Sequence, residues 1–318
     1  MSELRIFYYE NGRLRISRSI ETLKQIDLKD VIWIDLNNVS EELENELEQF
    51  LKIYIQEDEE MEEIEMSSRF IQTDDSLVAN SNFLLDDYTL EPVSFILKND
   101  ILVSVRDREL KSFNETIKKI YANPRSFPSG QYVLVSLFET RVEYDADMIE
   151  DITDEITVLS KSMSTTGDDK PLGGDILIQI KDLQERDMII RQTIIDKQRV
   201  ISNLLKSDFI GSDLQPRLSM IIKDINSLFE YTRFGFDRLD YLQDTFLGLV
   251  NLQQSKIIKI FTVVSVIFMP PTLIASIYGM NFKVMPELDW KYGYLLSIGA
   301  MVISVIFVLF FFKRKKWL

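Results

Sequence analysis

The sequence is most informative near the C-terminus, where residues 257–282 read IIKIFTVVSVIFMPPTLIASIYGMNF. Residues 257–277 are apolar apart from Lys259 and a few hydroxyl groups, and residues 292–312 carry no charge. Each segment is about 20 residues long, which is enough for an α-helix to cross the hydrocarbon core of a bilayer. The pattern predicts two transmembrane helices, with two buried helices of a soluble core as the alternative.

The charges around these segments predict their orientation. Positive residues precede the first span and follow the second, whereas the loop at 278–291 has balanced charges: Lys283, Glu287, Asp289 and Lys291. The positive-inside rule therefore places both termini, including the basic tail at 313–318, in the cytoplasm. The first 23 residues contain no apolar core, so we expect no cleaved signal peptide. We expect a multi-pass protein of the inner or plasma membrane.

The composition restricts the partners. The chain has a formal net charge of −15, although the residues from 256 onward carry a net positive charge, so the upstream part is strongly acidic. This argues against nucleic acid, whose phosphates need a basic surface. It suits a protein that collects cations, or it simply keeps a domain soluble. The sequence contains no Cys and no His, so any metal would meet oxygen ligands, which favour hard ions such as Mg²⁺.

Residues 1–140 have the pattern of an α/β domain. Polar helical stretches such as 40–51 alternate with short β-branched and aromatic runs at 4–9, 31–36, 83–85, 93–97, 101–105 and 132–138. Lys98, Asn99 and Asp100 are typical of a hairpin turn. We predict one mixed sheet with flanking helices. Residues 57–65 are nearly all acidic, which indicates a solvated helix face or, alternatively, an ion-gathering patch.

From residue 141 the pattern becomes helical. Apolar periods at 143–163 and 175–207, separated by a polar break at 164–174, predict an antiparallel helix pair within residues 141–213. A third run, within residues 214–277, has no proline between Pro216 and Pro270, so we expect a stalk helix that continues into the first span. From residue 217 to 277 such a helix would be about 90 Å long. It would transmit a movement of the soluble domain to the membrane.

One face of the first span carries mostly small or weakly polar side chains at steps of three or four residues: Ser255, Ile258, Thr262, Ser265, Met269, Thr272 and Ser276. We call these seven residues the stripe. Weak dipoles along one line suit the wall of a water-filled pore, but small residues also suit packing between membrane helices. The pattern leaves both open. Because two spans cannot enclose a channel, a pore would require a homo-oligomer with the first spans innermost.

Prolines and a glycine mark the end of this span. Pro270 and Pro271 remove backbone donors, so we expect a kink or loosening there. The carbonyls that lose their partners would face the pore or accept bonds from neighbouring hydroxyls. Gly279 and Asn281 tolerate left-handed backbone, so we expect a tight turn at the helix end.

Three motifs in register resemble the CorA family of magnesium transporters. They are Tyr278, Gly279, Met280 and Asn281 in the stretch YGMN, the loop MPEL at 285–288, and the ending KRKKWL at 313–318. The upstream order of α/β domain, helix pair and long stalk is also similar to the family. The resemblance implies a homopentameric channel in which five stalk helices form a cytosolic funnel and five first spans line the pore.

The resemblance also implies where the ion would bind. Asn281 would form a ring at the outer mouth, with the backbone of Gly279 assisting. Neutral amide oxygens can hydrogen-bond the first-shell waters of Mg²⁺, an ion that gives up its water reluctantly. Glu287 and Asp289 would raise the local cation concentration.

Along the pore, the match to the family is uneven. Met269 and Thr272 fall on pore-lining positions of the family. Ser255, in contrast, stands where the family often has Asn, and Ser276 where Gly is common, so the inner ion site differs from the family pattern.

The family is also gated by Mg²⁺ bound between the cytosolic domains of neighbouring subunits. When such a site is empty, its carboxylates repel one another; when it holds Mg²⁺, the ion bridges them. Bound Mg²⁺ therefore favours the closed state. Asp224, early in the stalk, is a candidate, with a partner from four aspartates in the α/β domain: Asp74, Asp75, Asp86 and Asp87. For any one of these, a solvated surface residue is the alternative interpretation.

We therefore predict a passive channel for Mg²⁺, and for Co²⁺ or Ni²⁺ as further ions, driven by the membrane potential. Mg²⁺ is both the transported and the regulatory ion, and we expect no cofactor. We expect no enzyme, because the sequence contains no phosphate loop of the Gly-x-x-x-x-Gly-Lys-Ser/Thr type to drive a pump. The alternatives are a zinc transporter of the same superfamily and a membrane-tethered cytosolic sensor or scaffold.

Overall fold

The computed structural model describes residues 3–56, 69–165, 174–283 and 285–315. The acidic stretch predicted at 57–65 and the end of the basic tail lie outside these residues. The chain divides into two compact units, residues 1–243 and 244–318.

The first unit contains a mixed sheet of seven described strands, in the order β2-β1-β3-β7-β6-β5-β4. Strands β3 and β7 run parallel, and the other neighbours are antiparallel. The strands are β1 (Glu3–Glu10), β2 (Arg13–Ser17), β3 (Val31–Asn37), β4 (Phe70–Gln72), β5 (Ser76–Leu84), β6 (Leu90–Lys98) and β7 (Ile101–Arg106).

Most of the strands predicted from the sequence are confirmed. The runs at 4–9, 31–36, 93–97 and 101–105 lie in β1, β3, β6 and β7, and the run at 83–85 overlaps the end of β5. The predicted hairpin joins β6 to β7 through Asn99 and Asp100, which have φ angles of 49° and 64°. Two successive positive φ angles are typical of the type I′ turn, which matches the twist of the paired strands.

The described residues also form six α-helices. They are α1 (Glu41–Leu51), α2 (Lys111–Ala122), α3 (Gly130–Thr165), α4 (Asp175–Leu204), α5 (Gln215–Tyr278) and α6 (Gly293–Arg314). Short 3₁₀ turns occur at Ile20–Thr22, Leu28–Asp30 and Pro124–Ser126. The helical part of the chain therefore begins at Gly130, earlier than the residue 141 that the sequence pattern indicated.

The strand predicted at 132–138 is wrong, because these residues form the start of α3. Val133, Leu134, Val135, Leu137 and Phe138 are all completely buried. A helix that is buried on every side is apolar on every side, so a short window of it has the same composition as a buried strand. Gly130 permits this packing, since a Cβ atom there would lie 2.3 Å from the backbone nitrogen of Leu102.

Each face of the sheet has its own core. An aromatic cluster on one face joins the sheet to α2 and α3, with Phe7 stacked on Trp33 at 4.7 Å between ring centroids and Phe95 at 5.3 Å from Phe138. The other face carries aliphatic side chains, among them Ile6 and Ile34, which form one cluster with Leu47 of α1. The result is a three-layer α/β domain, as predicted.

Ion pairs and hydrogen bonds between the long helices show their relative directions. On α3 and α4, Asp145 pairs with Lys197 and Glu155 with Arg186, so residue numbers rise along one helix as they fall along the other. The helix pair is therefore antiparallel. On α3 and α5, Glu139 pairs with Arg217 and Arg238 donates to Thr157, so the first part of α5 runs parallel to α3.

The second unit contains the last part of α5, a loop and α6. Both helices contain a segment that is long and apolar enough to cross a membrane. The continuous helix α5, of 64 residues, confirms that the third helical run extends through the first predicted span without a break, including at Pro270 and Pro271.

Candidate functional site

The stripe on the first span is exposed in the single chain. All seven of its residues, from Ser255 to Ser276, are exposed, whereas Val263 is buried and Ile267 and Ile274 are partly buried. At about 100° per residue, the stripe lies on the order of 150° around the helix from these three residues. The face that packs within the unit is therefore a different face from the stripe.

A third face of the same span is also exposed but apolar. Ile257, Phe261, Val264 and Phe268 are between 47% and 69% exposed. These residues follow one another at steps of three or four, so they form a second line along the helix. Two exposed faces of different polarity require two different surroundings.

The threonines of the stripe donate their protons to their own helix. Thr262 Oγ1 donates to the Ile258 carbonyl at 2.8 Å, and Thr272 Oγ1 donates to the Phe268 carbonyl at 2.7 Å. Each hydroxyl oxygen keeps free lone pairs on its exposed side. The stripe therefore offers acceptors to the waters of a hydrated cation. Pro270 and Pro271 leave the carbonyls of residues 266 and 267 without their helical donors. Thr272 bonds to the Phe268 carbonyl, so it does not satisfy either of them.

The end of α5 differs from the predicted left-handed turn. Neither Gly279 nor Asn281 has a positive φ angle. The Gly279 amide instead continues the helical pattern by donating to Ala275 at 2.9 Å, and the Met280 amide donates to Ile277 at 3.2 Å. A Cβ atom on Gly279 would lie 3.1 Å from the Ala275 carbonyl oxygen. The glycine thus relieves a close contact, and Asn281 follows the last turn of the helix as an exposed residue.

The loop between the helices folds tightly back before α6. The Gly293 amide donates to the Trp290 carbonyl at 2.8 Å, and a Cβ atom on Gly293 would lie 2.2 Å from the Glu287 carbonyl oxygen. Both loop carboxylates, Glu287 and Asp289, are exposed. They therefore add negative potential to the loop that carries Asn281.

The structure separates the four candidate aspartates of the α/β domain. Asp74 and Asp75 precede β5 and Asp86 and Asp87 follow it, so the two pairs are roughly 30 Å apart at ~3.3 Å per residue. A single chain does not bring the two pairs together. All four are exposed.

Three of these aspartates have partners. Asp75 and Asp86 each pair with a lysine at 2.7 Å, Lys98 and Lys111 respectively. The hydrogen bond from Lys98 lowers the pKa of Asp75, and the hydrogen bonds from Thr89 lower the pKa of Asp87. Asp75 and Asp87 are therefore charged at neutral pH.

Asp224 lies on α5 and lines a cavity of about 480 Å³ between α3 and α5. Glu139 and Glu143 line the same cavity, but Glu139 is paired with Arg217 and Glu143 with Lys119 at 2.9 Å. Within the described ranges, no three acidic residues are arranged to hold a metal ion. Asp224 and the four aspartates of the α/β domain do not form one site in a single chain.

The buried charges of the helix pair were not predicted from the sequence. Asp145 and Lys197 are completely buried and lie 3.0 Å apart, and Arg141 donates both to Asp145 and to the carbonyl of Leu84 at the end of β5. Burial lowers the pKa of Lys197. Asp187 was not predicted either; it lies on the apolar face of α4 between Leu183 and Ile190. An acidic residue at an apolar position of the helical period was the available signal.

Comparison with known proteins agrees with this arrangement. A family profile described as "CorA-like Mg2+ transporter protein" matches residues 29–314. The chain belongs to the CorA family. It is 41% identical over 298 residues to the magnesium transport protein CorA of Wolinella succinogenes, covering 91% of this chain and 92% of the relative. It is 35% identical to the protein of the same name from Helicobacter pylori strain J99, covering 98% and 99%.

A solved structure in the family has the same fold. The complete structure of the CorA magnesium transporter from Methanocaldococcus jannaschii matches with a TM-score of 0.83 at 18% identity, covering 100% of this chain and 99% of that one. At this identity the match shows the fold alone. The α/β domain, the helix pair, the long helix and the two apolar C-terminal helices therefore form a CorA fold.

Proposed function

We propose that this CorA-family chain is a membrane channel that carries Mg²⁺ down its electrochemical gradient. The observation that carries the proposal is the exposed, weakly polar stripe on the first span, which ends just before Asn281. Its hydroxyl oxygens suit hydrated cations, because they accept hydrogen bonds from water without a charge that would trap the ion. The names of the relatives, which are magnesium transport proteins, support the same ion.

Several copies must form the channel, since one chain has one stripe. We propose a homopentamer in which the five first spans line the pore and the apolar exposed faces meet other helices or lipid. Asn281 forms a ring of amide oxygens at the outer mouth, supported by Gly279 and Met280. Glu287 and Asp289 raise the cation concentration near this ring. Both termini are cytoplasmic, in agreement with the basic residues at the ends of the spans.

We propose that Mg²⁺ on the cytosolic side closes the channel. Asp224 of one copy and one of the aspartates at 74, 75, 86 or 87 of its neighbour share the ion. Among the described residues, no group of three acidic side chains is arranged to hold a metal ion within one chain, which supports a site between copies. Bound Mg²⁺ would bridge carboxylates that otherwise repel, and so stabilise the closed state. Co²⁺ and Ni²⁺ are further candidate ions, because oxygen ligands and a hydrated ion are also compatible with them.

The flux of Mg²⁺ into proteoliposomes tests the proposal. Full-length protein is reconstituted with a Mg²⁺-sensitive dye inside and an inside-negative potential. We expect flux in the wild type, a loss of about tenfold or more for Asn281→Ala, and little change for Phe282→Ala, an adjacent control that keeps the amide.

The same assay separates the alternatives. Equal flux in the wild type and Asn281→Ala would contradict an ion site at Asn281. No flux in folded, reconstituted wild type would favour the tethered sensor, in which the spans only anchor the chain. Flux of Zn²⁺ but not of Mg²⁺, measured with a Zn²⁺-sensitive dye, would favour the zinc transporter.

A further inference from the structure

Asp187 is a buried carboxyl group in the middle of the helix pair. Its exposure is only 2%, and it lies on the face of α4 that also buries Leu183, Ile190 and Ile194. Its Oδ2 atom has no hydrogen-bond partner among the described residues. A charged carboxylate in this position would lose its hydration without gaining a partner.

Gly235 of α5 makes room for this carboxyl group. A Cβ atom at Gly235 would lie 3.3 Å from Asp187 Oδ1 and 3.9 Å from Ile156 Cδ1 of α3. Three helices therefore meet at one point, and the absence of a side chain at residue 235 lets α5 approach both of its neighbours. We call Asp187, Gly235 and Ile156 the three-helix junction.

The charged groups around the junction are engaged elsewhere. On α4, the Arg191 guanidinium lies 4.6 Å from the centre of the Phe229 ring. On α5, Arg238 donates to Thr157 of α3 at 3.2 Å. On α3, Glu155 pairs with Arg186 at 3.1 Å. Burial raises the pKa of Asp187 to about 7, and the positive charge of Arg191 opposes this rise in part.

We propose that the three-helix junction is a proton-responsive contact, in which neutral Asp187 lets α3, α4 and α5 pack and ionised Asp187 loosens them. The neutral acid has a hydroxyl group that can donate a hydrogen bond in the apolar interior, and it avoids burying a charge. Ionisation leaves an unpaired charge next to the backbone of α5. The helices separate slightly, or water enters, to restore its hydration.

The direction of the pH effect follows from proton binding. An aspartate in an unfolded chain titrates near ~3.9, whereas Asp187 in the folded protein has its pKa raised to about 7. Between these values the folded state holds a proton that the unfolded state has lost. Stability therefore falls as the pH rises through this window, and the full penalty is present above the folded pKa.

Thermal unfolding of the full-length protein in detergent tests the proposal. We compare the wild type, Asp187→Asn and Asp154→Asn at about pH 5.5 and about pH 8, which lie on the two sides of the folded-state pKa of Asp187. Asp154 is an exposed aspartate of α3. The variant Asp187→Asn should lose about 5 °C less in Tm between the two pH values than the wild type. Asp154→Asn should follow the wild type. Equal pH dependence in the wild type and Asp187→Asn would overturn the proposal.

An infrared measurement on the wild type makes the test independent of the variants. The carbonyl band of a protonated carboxylic acid should be present at about pH 6.5 and disappear by about pH 8.5, because the exposed carboxylates together hold very few protons at the lower pH. Absence of the band at the lower pH would overturn the proposal even if Asp187→Asn failed to fold. Neither measurement depends on ion transport, so the result stands apart from the proposed function.

Discussion

Two stretches of α5 use the same helical geometry in different ways. In the first unit, Leu218, Ile221, Ile225 and Leu239 are buried against partners in the same chain. In the first span, Phe261 and Phe268 are more than 60% exposed, although they are just as apolar. The first stretch completes its packing within the chain, whereas the second needs lipid or other copies. Exposed apolar residues on the first span therefore indicate a membrane environment, and the exposed stripe beside them supports the proposed assembly of several copies.

Breaking the buried charge pair should have the largest effect, and it should affect the first unit. Lys197→Met leaves Asp145 Oδ2 without its ionic partner, although Arg141 still pairs with Oδ1, so it should cost about 2 to 3 kcal/mol. Urea unfolding of the full-length protein in detergent measures the loss. Lys181→Met, an exposed lysine on the same helix, is the control and should change stability by less than about 0.5 kcal/mol.

A second variant tests whether the pair itself is responsible. Asp145→Asn combined with Lys197→Met also leaves the buried Arg141 without its carboxylate partner, so it should lose more stability than Lys197→Met alone, about 3 to 5 kcal/mol in all. Equal effects of Lys197→Met and Lys181→Met would show that the first unit does not depend on this pair.

The ion pair between Asp145 and Lys197 also shows how much of the fold could be predicted from the sequence. Periodicity predicted the helix pair, because Ile180, Leu183, Ile190 and Ile194 repeat at helical spacing. It did not predict that Lys197 is buried, since its partner on α3 is distant in sequence and is set by tertiary packing. The same limit explains the error at 132–138, where neighbours on all sides make a helix as apolar as a strand.

The candidate site was predictable to a similar extent. The stripe follows from the spacing of Thr262, Ser265, Met269 and Thr272, and the YGMN motif follows from the sequence directly. Which face of the span packs within the chain could not be predicted, because that depends on where α6 lies. The backbone at Gly279 was mispredicted, since a close contact with a carbonyl and a left-handed turn both favour glycine.

Neutralising the two loop carboxylates should have a smaller effect, and it should reduce ion flux without affecting the first unit. Glu287→Gln combined with Asp289→Asn should lower Mg²⁺ flux about two- to threefold at low ionic strength, because exposed charges only concentrate the ion. The difference should largely disappear in about 0.5 M salt, where screening is strong.

A salt-independent loss would assign these carboxylates to direct ion binding. Lys283→Gln is the matched control, since it removes a positive charge from the same loop. It should leave flux unchanged or raise it slightly.

The accessibility of single cysteines along the first span tests most directly whether the stripe lines the pore. The experiment is clean because the sequence contains no native cysteine. Cysteine is placed at Ser265, Met269 or Thr272 of the stripe, and at Phe261 or Phe268 of the apolar face as controls. A charged methanethiosulfonate reagent is then added during the flux assay. If the stripe lines the pore, the reagent should block flux through the stripe variants and spare the controls. Block at the apolar face with no effect at the stripe would contradict it.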